Sequence, residues 1–291
     1  MITLIRGLIE SFSQPNVVSY GLVFTASQVL WEVAFRFVLP KGPWTKHPTY
    51  TAHQITTLPF MIYLSVVGFQ NWHIQDNNDV CGENSALYPL EIGILMSQII
   101  AGSMLLWDIP VSLLSKEVGD TLMLCHHVGM WMTAGGVLGL WSGGVPLVAC
   151  YAPYFFGVIE FSSIPLLVID LFDQHKHPAY HALLQTSNTL QALHGLCQGW
   201  FAVSFLVLRV YYFPKTVFGH VLPTLRQTAT HEGDLPEGVT PSTLYNIVGL
   251  GILFTLLQCY WGYLLIVAIL KTVGVLKDDD SNNDKDEPKK E

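Results

Sequence analysis

Residues 121–141 read TLMLCHHVGMWMTAGGVLGLW, and the architecture turns on how this stretch is understood. It is too apolar for anything but a membrane segment, yet it carries two adjacent histidines, His126 and His127. Ionisable side chains in hydrocarbon cost about 2.5–3.5 kcal/mol each on insertion scales, so they persist where they face a cavity or a partner. The next apolar run repeats the pattern with a single acid, Glu160, followed by Phe161, Ser162 and Ser163.

On either side of it, apolar runs near 17–39, 50–70, 88–112, 121–142, 145–172, 186–213 and 243–271 are each close to the roughly twenty residues needed to cross about 30 Å of hydrocarbon. Charged residues make up only 12% of the 291, against about 25% in soluble domains. The fold class predicted is an all-α integral membrane protein of about seven transmembrane helices. Residues 1–45 hold an amphipathic N-terminal segment and the first span, 46–273 the main transmembrane domain, and 274–291 a disordered acidic tail. MITLIRGLIESF at the start has no long apolar core and no small-residue cleavage site, so a retained amphipathic helix is expected.

Lysine and arginine set the orientation. Arg36, Lys41, Lys46, Lys116, Lys176 and the lysines after 270 fall on one side, and Arg6, Arg209, Lys215 and Arg226 on the other. The positive-inside rule then places the N-terminus in the lumen and the C-terminus in the cytosol. The net charge of −8 comes largely from the tail, and no basic patch offers a nucleic-acid surface. Five cysteines without a CxxC pair read as small core residues. Glu32 and Arg36 share a helical face and are expected to pair. Residues 213–242, with their prolines, are expected to form an irregular lumenal loop.

Counting from the cytosolic side, Asp108 lies just before Pro110 near the inner end of segment three, His126 and His127 roughly 8 Å deep, and Glu160 and His194 roughly 12–18 Å deep. All five are expected around one cavity. Ser187, Gln191, His194, Gln198 and Arg209 recur on one helical side, which reads equally as interhelical glue or as cavity lining. A buried neutral imidazole can serve as a general base for a lipid amine or hydroxyl attacking an acyl thioester, or carry an acyl group itself. Glu160 could orient a histidine, donate as a protonated acid, or cap a helix through Ser162 and Ser163.

Other chemistries fit less well. His175, His177 and His181 in DQHKHPAYH offer one HxxxH spacing, but Pro178 interrupts it and no HxxHH box occurs, so no metal site is assigned and the loop reads as solvated surface. A seven-helix receptor would need a DRY-type end to segment three and an NPxxY end to segment seven, which are absent.

His53, GDTLMLCHH (119–127), IEFSSIPLL (159–167), FLVLRVYYFP (205–214) and QCYWGYLLIVAILK (258–271) together resemble the TLC domain. That family is named for translocating-chain-associating, longevity-assurance and ceroid-lipofuscinosis proteins. The resemblance spans about His53 to Lys271. It implies a barrel-like bundle of six helices plus one N-terminal helix, usually in the endoplasmic reticulum, with a central lipid cavity opening to the cytosol. It also implies His126 and His127 as catalytic residues. The groups placed by depth and helical side, Asp108, Glu160, Ser163, His194, Gln198 and Arg209, are expected around the substrate. Ceramide synthases of the family carry further aspartates after the histidine pair; here that stretch is VIEFSSIPLLVIDLF, closer to the E-[LI]-S-T-P-F element of non-synthase members. The resulting expectation is a lipid-homeostasis protein that binds or processes a lipid or acyl chain. The alternatives are an N-acyltransferase with acyl-CoA as co-substrate, and a non-catalytic cargo or trafficking protein. No resident cofactor is expected; membrane lipids are the expected partners, and a homo-oligomer is left open.

Overall fold

The computed structural model describes residues 2–72, 86–230 and 235–276, with side chains from residue 7 onward. Helix α1 spans Ile2–Ser13, as its amphipathic pattern predicts. Six helices are long and apolar enough to cross a membrane: α2 (Pro15–Val38), α3 (Pro48–Asn71), α4 (Glu91–Leu114), α6 (Ala149–Leu171), α8 (Asn188–Thr230) and α9 (Pro241–Thr272). The histidine-bearing helix, α5 (Thr121–Val137), has only 17 residues, and α7 (Pro178–Gln185) is a short connecting helix. Starts are written locally. Asp120 caps α5 by accepting from the Met123 N–H at 2.8 Å, Ser187 caps α8 and Thr240 caps α9. Pro15, Pro48, Pro178 and Pro241 open their helices, where a missing N–H costs nothing.

The helices close a circuit in which α3 packs on α6, α6 on α8, α8 on α9, α9 on α5 and α5 on α4. Helix α2 lies across α3 and α4. It approaches α4 so closely that a Cβ on Gly21 would sit 2.6 Å from the Gly102 carbonyl oxygen, which only glycine permits. The connections 39–47, 115–120 and 172–187 meet on what we term the His47 face, where His47 lies 3.3 Å from Glu117 and Trp44 packs on Phe172, Tyr180 and Leu184. The opposite, Trp72 face is closed by the Val148 N–H donating to Ala86 at 2.7 Å and by Gly7 of α1 lying against the Trp141 ring. Between the faces the interior is filled by the first half of α6, residues 149–162, of which only Phe155 and Phe161 are not fully buried.

Two expectations are corrected. The segment from 213 is not an irregular loop: α8 runs on to Thr230. Wide, π-type turns cover Ala34–Val38, Met104–Asp108, Leu206–Tyr212 and Val217–Val221, and each ends two residues before a proline: Pro40, Pro110, Pro214 and Pro223. A proline ring clashes with the carbonyl four residues back. Here that carbonyl lies inside a turn already widened to five, so α4 and α8 continue past their prolines. Leu106, four before Pro110, gives its carbonyl to the Thr25 hydroxyl at 2.8 Å. The cysteines also differ from expectation. Cys125, Cys197 and Cys259 are free thiols, but Cys150, at the Trp72 face, is disulfide-bonded; spacing alone does not disclose a pairing that tertiary contacts create. The tail from residue 277 lies outside the described residues.

Candidate functional site

Asp108 ends the wide turn of α4, which aims its side chain inward; the residue is 4% exposed. Its Oδ1 is approached by three groups: Nδ1 of His127 from α5 at 3.2 Å, Nε2 of His53 from α3 at 3.4 Å, and the Ser112 hydroxyl, which donates at 3.3 Å. The His127 contact has ion-pair distance without hydrogen-bond alignment, since His127 Nδ1 has no hydrogen-bonding partner. Such contacts are often loose before substrate arrives. His53 is fixed by stacking on Trp107, with ring centroids 4.9 Å apart. The Trp107 indole in turn donates to Gln28 of α2 at 3.3 Å. Once aligned, a carboxylate at Nδ1 would hold that nitrogen as the donor and leave Nε2 of His127 as the basic edge.

His126 turns the other way. Its ring sits between Phe254 and Trp261 of α9, 5.4 Å from each. It lines a narrow apolar pocket between α5, α6, α8 and α9, with about 50 Å³ of free space. His126 Nδ1 is buried there without a partner. Adjacent helical residues point about 100° apart, so the pair serves two different surroundings.

Glu160 and Arg209 form a second cluster, close enough to the histidines for its charges to act on them. Arg209 lies in the wide turn Leu206–Tyr212 of α8 and donates from Nη2 to Glu160 Oε2 at 3.3 Å and to the Ser163 hydroxyl at 2.9 Å. Its Nε donates to Ser162 at 2.8 Å, and Ser163 donates to Glu160 at 2.6 Å. Glu160 is therefore a paired carboxylate. Arg209 is a buried ion-pair partner and not an outer-surface charge, because α8 carries it back into the bundle.

Asp108, His126, His127, Glu160 and His194, expected around one cavity, have different immediate neighbours. Of these five, only His126 is among the residues lining the apolar pocket. His194 packs edge-on against Phe172, with centroids 5.9 Å apart, and Gln191 and Gln198 are exposed on the outside of α8. The expected polar side of segment six thus divides, for a geometric reason. Gln198 and Arg209 would share a face of a regular helix, but the wide turn between them rotates the remainder of α8. The loop histidines also depart from expectation. His177 is 1% exposed, stacked on Tyr50 with centroids 3.6 Å apart, and not a solvated surface group. No group of three or more His, Cys, Asp or Glu among the described residues is placed to hold a metal ion.

Sequence reasoning does not single out His53 and Gln258 as site residues. Both carry a signal that could have found them: a polar side chain within a span, the same signal that marks Glu160. No curated protein and no solved structure matches the chain significantly. The family model described as TLC domain matches residues 43–267, which contain every residue of the sites above except Gln28; the match takes in well over half of the chain, which therefore belongs to the TLC-domain family of membrane proteins.

Proposed function

We propose that this protein acts in lipid homeostasis by holding an acyl lipid in the pocket beside His126 while His127 accepts a proton from a polar group at the pocket edge. The observation that carries this reading is the division of the histidine pair. One member lines an apolar pocket, and the other lies against a carboxylate that two further side chains position. Glu160, Ser163 and Arg209 belong to the frame that keeps α6 and α8 in register, and His194 and Gln198 lie outside the working site.

The N-acyltransferase reading has a specific observation in its favour, the Asp108–His127 contact, since a carboxylate-oriented imidazole is the usual form of a general base. Acyl-CoA would then be a co-substrate. The disulfide at Cys150 supports placing the Trp72 face in an oxidising lumen, in line with the lysine and arginine count. That feature and the family support a location in the endoplasmic reticulum.

The test is to purify the full chain in nanodiscs, extract and identify bound lipid by mass spectrometry, then supply acyl-CoA with an amine-bearing lipid. Bound acyl lipid in the wild type, with amide formation absent in His127→Ala and Asp108→Asn, supports catalysis. Bound lipid without turnover supports binding alone. A preparation free of lipid, whose histidine variants leave cellular lipid composition unchanged, overturns both and points to cargo or trafficking work.

A further inference from the structure

Gln258 of α9 is a polar side chain in a helix of mean hydropathy 2.0, and it is 1% exposed. Its Oε1 has no hydrogen-bonding partner. An unanswered buried acceptor costs about 1–3 kcal/mol, so its presence asks for a compensating donor. Gln258 lines the same pocket as His126. Phe254, Gln258 and Trp261 follow at i, i+4 and i+7 on one helical face. The His126 ring rests against the first and the last of them, which sets Gln258 opposite His126. The third polar residue of the lining, Thr133, has its hydroxyl bound to the Gly129 carbonyl at 2.9 Å. The pocket thus offers an apolar chamber with two unpartnered polar atoms buried in its wall, an amide oxygen that only accepts, carried beside its own NH2 donor, and an imidazole nitrogen that donates or accepts by tautomer.

We propose that Gln258 and His126 form a headgroup site for an uncharged, hydroxyl-bearing lipid, whose O–H donates to Gln258 Oε1 and whose oxygen accepts from His126 Nδ1. The inference rests on the lipid-binding reading above and narrows it to a ligand class. A carboxylate would enter a pocket lined by no lysine or arginine and lose its hydration without compensation. An ammonium would enter a pocket lined by no acidic residue and lose its hydration without compensation. A thioester carbonyl could accept from His126 but would leave Gln258 unanswered. A hydroxyl satisfies both atoms.

The test uses the full chain, delipidated in detergent, with radiolabelled 1-hexadecanol displaced by palmitate, hexadecylamine or hexadecane. Hexadecanol is expected to bind at least about tenfold more tightly than palmitate or hexadecane, the ratio one buried hydrogen bond supplies. Gln258→Leu and Gln258→Met are each expected to lower hexadecanol affinity about tenfold and leave hexadecane unchanged. Gly251→Leu, which fills the pocket from α9, should weaken every probe. Palmitate or hexadecylamine binding as well as hexadecanol, or Gln258 variants with unaltered affinity, overturns the headgroup site while pocket binding stands. Binding of no probe, or binding that Gly251→Leu leaves untouched, overturns the pocket itself and with it the function proposed above.

Discussion

Two buried charged clusters sit in this bundle, and they are satisfied to different degrees. Around Arg209 the network is closed: guanidinium, carboxylate and two hydroxyls all answer one another between 2.6 and 3.3 Å. Around the histidine pair it is open. Three groups crowd one oxygen of Asp108 at 3.2–3.4 Å, while Nδ1 of His126 and Oε1 of Gln258 have no partner. Closed polar networks fix helices in register, whereas buried polar atoms without partners are costly and mark places where a ligand or proton completes the set. The proposed division into framework and working site rests on that difference, among residues that look alike in sequence.

Substitutions put that contrast to the test. The largest effect is expected at the closed cluster. Glu160→Ala or Arg209→Ala alone strands a buried charge and should cost about 3–5 kcal/mol, read as a drop in unfolding temperature in detergent. Glu160→Leu combined with Arg209→Leu should recover most of that loss. A double variant no more stable than the singles would mean that the pair does more than hold two helices.

At the open cluster the order reverses. Asp108→Asn keeps the shape and should cost only about 1–3 kcal/mol, yet reproduce the lipid profile of a deletion strain in lipidomics. A wild-type profile with this variant would move Asp108 into the framework. Pro110→Ala is subtler. Without the ring, the wide turn Met104–Asp108 can relax to regular helix, leaving stability within about 1 kcal/mol while turning Asp108 away from His53 and His127. Loss of lipid function with near-normal melting is expected. A functional variant would show that packing, and not Pro110, maintains the turn.

The smallest effect lies outside the spans. Burial, then the neighbouring His47, holds the His177 imidazole below its ordinary value, against the raising influence of Asp170 and Glu117. The unfolded chain then binds the proton more readily, so stability should fall as pH drops below about 6.5 and be unaffected above it. His177→Phe, which keeps the stack on Tyr50, should flatten that slope in melting curves taken between pH 5 and 7. An unchanged slope would assign the acid sensitivity to another group.

Much of this architecture is legible in the chain. The apolar runs mark the helices, Asp120, Ser187 and Thr240 mark their starts, and the cost of charge in hydrocarbon singles out Asp108, His126, His127 and Glu160. Glu32 and Arg36 pair as their spacing predicts, at 2.5 Å. Partnership is not legible. Arg209 is 49 positions from Glu160, and extrapolation along a regular helix puts it on the face of Gln198, because a wide turn leaves only a proline as its trace.

Residue chemistry alone was enough to specify a helical membrane bundle of the TLC family and the few ionisable groups that needed a reason to be inside it, since hydropathy and desolvation are properties of single residues. It took the packed bundle to show that His126 and His127 have different surroundings, that Glu160 pairs with Arg209, that His53 meets Asp108 and that Gln258 lines the pocket. Hydrogen bonds act over about 3 Å, and which groups come that close depends on helix rotation and crossing, to which distant parts of the chain contribute together.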